Sequence, residues 1–134
     1  MSLLERQFLK SEYISIAKKS FRMFAAPSRA IDGARIFCFV LKGEAQSTEL
    51  VNKLAAYAGS VAFYDGDKKE RVCVIALFEG SALKLQPSRE SGVLILPCAF
   101  DTQNQKLILP DTLPILRREE FKKLCAFTKN IFKR

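Results

Sequence analysis

The chain has 134 residues, 49% hydrophobic and 27% charged, with 22 Lys and Arg against 14 Asp and Glu and no His. That size fits one domain without a second core, and that balance excludes a disordered or fibrous chain. The lack of His excludes Ser-His and Cys-His nucleophile pairs and His metal sites, and no apolar run reaches the ~18–20 residues of a membrane-spanning helix.

The formal net charge of +8 is uneven. Residues 1–33 hold six basic and three acidic side chains, residues 34–110 nine and eight, and residues 111–134 seven and three. The middle is nearly neutral and the ends are basic. Such a field favours an anionic partner, although Lys and Arg also serve simply to solvate outer faces. From Met1 to Gln7 the order lacks the charged-then-apolar pattern of a secretory signal, because Glu5, Arg6 and Lys10 interrupt it. A cytoplasmic protein is therefore expected.

The first predicted element is a basic helix within residues 1–26. Leu9, Tyr13, Ile16, Ser20 and Met23 step by three or four residues, with Leu4, Phe8 and Phe24 beside them. In that helix Lys18 and Arg22 share a face one turn apart. Pro27 disfavours helical geometry in Ala26 and ends it. Ile36-Phe37-Cys38-Phe39-Val40-Leu41 then reads as a buried strand.

A helix is expected over residues 47–58. Ser47 is its N-cap, Glu49 lies in its first turn, and Leu50, Val51, Leu54, Tyr57 and Ala58 follow at helical spacing. Gly59 stands where a C-terminal left-handed residue is expected. Val61 to Tyr64 reads as a strand, Asp65-Gly66 as a hairpin turn, and Glu70 to Phe78 as its antiparallel return. Residues 87–92 are the most loop-like stretch. Val93 to Leu96 is a buried strand that Pro97 is expected to take out of the ladder. Lys106 to Leu109 follows a polar connection.

Pro110 and Pro114 bracket a rigid linker, and Arg117 to about Phe132 reads as the clearest helix. Phe121, Leu124, Cys125, Thr128, Ile131 and Phe132 form its apolar stripe, surrounded by basic residues. The fold class expected is α+β. A mixed, mostly antiparallel sheet of about five to six strands (34–109, with one helix at 47–58) carries the N-terminal (1–26), internal and C-terminal (115–134) helices packed on it, all in one domain over 1–134.

No motif names a chemistry. Ser15-x-x-Lys18 matches the Ser-Lys spacing of some acyl-transfer enzymes, but its partner motifs are missing. Asp65, Asp67 and Glu70 could offer carboxylates to a divalent metal, yet Lys68, Lys69 and Arg71 are interleaved and oppose a cation. Glycines at 33 and 43 match neither a P-loop nor a dinucleotide fingerprint. Cys38, Cys73, Cys98 and Cys125 each lie in an apolar run without a C-x-x-C pair, which reads as buried thiols rather than a metal or disulfide site.

The expectation is therefore a non-enzymatic binding protein without a cofactor or metal. Its first candidate partner is nucleic acid, met by Lys18, Lys19, Arg22, Arg117, Arg118, Lys122, Lys123 and Lys129 on the terminal helices. The alternative is an adaptor, chaperone or inhibitor whose basic surface meets an acidic protein, and a homodimer is compatible with either.

Overall fold

In a computed structural model, the structure describes residues 10–16, 18–31, 34–64 and 72–110. They form β1 (Lys10–Ile16), β2 (Lys19–Ile31), β3 (Ala34–Leu41), α1 (Thr48–Tyr64), β4 (Val72–Glu79), β5 (Ser88–Glu90), β6 (Val93–Asp101) and β7 (Lys106–Ile108). The seven strands make one mixed sheet in the order β1-β2-β3-β4-β6-β5, with β7 also pairing β6. Among the described residues α1 is the one helix. It is not long and apolar enough to cross a membrane.

The centre of the sheet is parallel: β3 pairs β4, and β4 pairs β6. Its flanks are antiparallel: β1 on β2, β2 on β3, and β5 and β7 on β6. The β-α-β unit is thus β3-α1-β4. The expected strand at Val61–Tyr64 is instead the last turn of α1, and β4 is not a hairpin return. The Asp65-Gly66 turn itself lies outside the described residues.

α1 starts where expected, with Leu50 N–H donating to Ser47 Oγ at 3.3 Å and Val51 N–H to Ser47 O at 3.2 Å. It does not stop at Gly59. Gly59 has no left-handed backbone conformation, so it does not cap the helix, and a Cβ there would meet Val93 Cγ2 at 3.5 Å, an ordinary contact. Val51, Leu54, Ala55, Ala58 and Ala62 form the buried stripe. Four of the five are small or β-branched, and the backbone comes close to the strands.

That stripe meets one face of the sheet: Ile14, Phe21, Met23, Phe37, Phe39, Leu41, Val72, Val74, Ala76, Phe78, Val93 and Ile95. Phe39 meets Tyr57 edge to face at 6.3 Å. The alternate residues point to the other face, and they are buried too: Ile36, Cys38, Val40, Cys73, Ile75, Leu77, Leu94, Leu96 and Cys98. Burial on both faces explains the continuous apolar runs of β3, β4 and β6.

The N-terminal basic helix expected over residues 1–26 is corrected by β1 and β2, which pair from Lys10↔Ala25 to Ile16↔Lys19. Alternation governs here. Ile14, Phe21 and Met23 are buried, whereas Tyr13, placed in the predicted helical stripe, is 75% exposed. Lys18 takes φ 66° in the turn between the strands. Pro27 lies where the β2–β3 register shifts, between Ala26 and Ile31, a place that tolerates a residue without an N–H. The C-terminal helix expected over 115–134 lies outside the described residues.

Two further corrections concern β6. Its pairing with β4 continues past Pro97 to Phe100. Gly80 N–H donates to Phe100 O at 3.0 Å, so even-numbered residues of β6 aim their peptide groups at β4 and odd-numbered ones aim outward. Pro97 faces outward, between the reach of β5 (opposite 93–95) and β7 (opposite 99–101), and costs the ladder nothing. The loop-like 87–92 contains β5, joined to β6 through Ser91 (φ 51°) and Gly92 (φ 81°). Two positive φ values in a two-residue connection are those of a type I′ hairpin turn.

Phe39→Ala removes a fully buried ring between sheet and helix. It is expected to cost about 3–5 kcal/mol, read as a lower urea midpoint with an unchanged m-value.

Candidate functional site

The parallel strands all end on the same side of the molecule, and chain reversal brings distant lysines there. β3, β4 and β6 finish at Leu41, Glu79 and Asp101. The β1–β2 turn carries Lys18 and Lys19 at this end, because Arg22 is already opposite Val40. Lys42 follows β3, Lys53 lies one turn into α1, and Lys106 opens β7 opposite Asp101. Lys84 is held here by its backbone. Its N–H donates to Gln46 Oε1 at 2.6 Å, while Gln46 Nε2 donates to Ala82 O at 2.7 Å. One amide thus fastens the β4–β5 connection to the β3–α1 loop. In open sheets with parallel strands this carboxyl end is where ligands are met.

The rim is not of one sign. Glu44, Glu49, Glu79 and Asp101 alternate with the six lysines. Lys19 Nζ donates to Glu44 Oε2 at 3.0 Å, with side chains 61% and 22% exposed. Lys53 pairs with Glu49 at 3.1 Å across one helical turn. Exposed pairs of this kind contribute roughly 0–1 kcal/mol and are screened by salt. Between them lies an open cleft of about 340 Å³ lined by Ile16, Lys19, Phe21, Glu44, Ser47, Leu50 and Lys53, among others.

Asp101 closes the rim on the far side. Its Oδ1 accepts from the Gln103 and Asn104 N–H groups at 3.1 and 3.3 Å, and its Oδ2 accepts from Asn104 Nδ2 at 2.7 Å. The Asn104 side chain first, then the backbone donors and Lys106, hold the carboxyl below its ordinary range.

Of the residues expected to bind a partner, Lys18, Lys19 and Arg22 are described. They do not share one helical face. Lys19 lies on the α1 side of β2 with Phe21 and Met23, whereas Arg22 lies on the opposite face beside Phe24, its guanidinium carbon 4.8 Å from that ring's centroid. Arg22 Nε is buried without a hydrogen-bond partner. Arg117, Arg118, Lys122, Lys123 and Lys129 lie outside the described residues. Lys42, Lys53, Lys84 and Lys106 were missed as candidates, since only the parallel register reveals that they share an end.

Among the described residues no group of three or more Cys, Asp and Glu could hold a metal ion. Cys38, Cys73 and Cys98 are buried thiols. Burial, then the neighbouring Cys98 and Cys73, pushes the Cys38 thiol well above its ordinary value. Burial and Cys73 push Cys98 up to about 12. Thiols held protonated in this way are poor nucleophiles.

No family model, no curated relative and no solved structure matches this chain.

Gln46→Ala is expected to release the β4–β5 connection. The Lys84 amide should exchange markedly faster with deuterium while global stability falls by on the order of 1 kcal/mol. Asp101 stabilises the fold above the ordinary carboxylate range, and that contribution is lost as pH falls through its depressed value. Asp101→Asn should flatten this acid-side slope, measured by urea unfolding at stepped pH.

Proposed function

We propose that this chain is a non-enzymatic binding module that docks an acidic protein surface through the rim at the carboxyl end of its parallel strands. The observation that carries this reading is the convergence of Lys18, Lys19, Lys42, Lys53, Lys84 and Lys106 at one end, interleaved with Glu44, Glu49, Glu79 and Asp101. A mixed rim matches a protein surface of opposite pattern, where charge complementarity sets register and partner choice. A phosphate backbone asks for a run of one sign, and Lys19 and Arg22 on opposite faces of β2 do not supply it.

Nucleic acid is the second reading. Its support is the surplus of seven basic over three acidic residues in 111–134, where Arg117, Arg118, Lys122, Lys123 and Lys129 are concentrated. The two readings place the contact in different parts of the chain.

Amide shifts of the labelled protein, followed with a poly-glutamate peptide and separately with a 20-base-pair duplex, distinguish them. Docking of acidic protein predicts peptide shifts at the rim that Lys18→Glu, Lys19→Glu and Lys84→Glu together abolish. Duplex binding that survives the rim reversal but collapses in Lys122→Glu with Lys123→Glu would transfer the function to nucleic acid. In that case the slope of log affinity against log salt falls by ~0.9 for each phosphate that is no longer neutralised. Binding of neither probe at low salt would overturn both readings.

A further inference from the structure

The cleft in the lysine rim has an apolar floor, and the curl of the sheet creates it. α1 packs mainly on β4 and β6, yet it also meets β1, three places along the sheet from β4. The twist of the strands thus brings the end of the β1–β2 hairpin back toward the helix. Ile16 and Lys19 stand opposite each other at that end, and Phe21 follows on the same face. The first turns of α1 supply Leu50 and Lys53 from the other side. Phe21 is buried, whereas Ile16 and Leu50 are half-buried at the edge of the core.

Charge surrounds this floor. The pairs Lys19–Glu44 and Lys53–Glu49 border it at the surface. An apolar centre within a charged edge is the anatomy of an anchor pocket, where one side chain of a partner is dried and the edge keeps water out. At about 340 Å³ the cleft is at the small end of ligand pockets, with room for one large side chain rather than an extended apolar segment.

We propose that this cleft is the specificity pocket of the rim, taking one large apolar side chain that the acidic partner carries between carboxylates. The proposal rests on the reading that the rim docks acidic protein, and it adds what that partner must present. Charge complementarity selects the flanks. Lys19 and Lys53 border the cleft, and Lys18 and Lys42 lie at the same end of the strands. The pairs with Glu44 and Glu49 are weak surface pairs, so each ammonium can turn to a partner's carboxylate at little cost. The floor selects the residue between those flanks. A uniformly acidic segment would strip water from a carboxylate against Ile16, Phe21 and Leu50, which an apolar side chain avoids.

The test titrates the full chain with three nonapeptides, each with four glutamates on either side of a central Phe, Ala or Glu. The Phe peptide should bind about tenfold or more tighter than the other two. Its ring current should also shift the methyl signals of Ile16 and Leu50. Ala45→Trp, at an exposed position on the wall of the cleft, should reduce the Phe peptide to the affinity of the Ala peptide. The methyl shifts are read on the unaltered chain, so the outcome does not depend on how that variant folds. Equal affinity of the three peptides, with amide shifts at the rim, would overturn the pocket and leave the acidic docking intact. Tighter binding of the Phe peptide without the methyl shifts would put the ring elsewhere and overturn it too. Equally tight binding of a Phe peptide with glutamines in place of the glutamates would remove the acidic flanks from the proposal and refute it as stated. Binding of none of the peptides at low salt would overturn the docking reading and the pocket with it.

Discussion

The structure depends on a trio of parallel strands that must be kept dry on two sides. Parallel pairing cannot be closed by a tight turn, so β3 and β4 require the crossover through α1. That crossover lays a helix on one face and creates the demand for a cover on the other. The antiparallel flanks are additions to this trio. β1 and β2 widen the sheet on one side, and β5 and β7 finish it on the other.

Close approach is what makes the α1 side work. Ala55, Ala58 and Ala62 keep the helix surface low. The bulky partners come from the sheet, where Phe37, Phe39 and Phe78 supply the volume. Large residues on the flat layer interlock with small ones on the curved layer. Phe21, Phe37, Phe39 and Phe78 fill the space between these two layers as rings that carry no indole N–H in need of a partner.

The centre of the fold was legible in the sequence because burial leaves a plain mark. The runs at 36–41, 72–78 and 93–96 admit little besides strands, and Ser47 with Glu49 announces a helix start. The N-terminal misreading has an equally plain cause. Ile14, Ile16, Phe21 and Met23 satisfy a period of two across a turn, and Tyr13, Ile16, Ser20 and Met23 satisfy a helical period through the same letters. The turn at Lys18 carries neither Gly nor Pro, so nothing local announced it. Strand direction was hidden for another reason. Asp65-Gly66 is a local signal, whereas parallel pairing of β4 with β3 answers to the burial of both faces. The lysine rim was invisible for the same reason, since its members range from Lys18 to Lys106 and only the register unites them.

The outer border of β6 has a consequence for how this molecule behaves in a crowd. Among the described residues, two three-residue strands and an outward-facing Pro97 leave there no continuous row of peptide groups for an incoming strand. Growth of a sheet from molecule to molecule needs two receptive borders, one on each side. Among the described strands β1 alone resembles one, so strand-to-strand addition would halt at a closed pair rather than propagate into a fibre. Among the described strands, the shortness of the smallest elements removes one of the two borders that such growth requires.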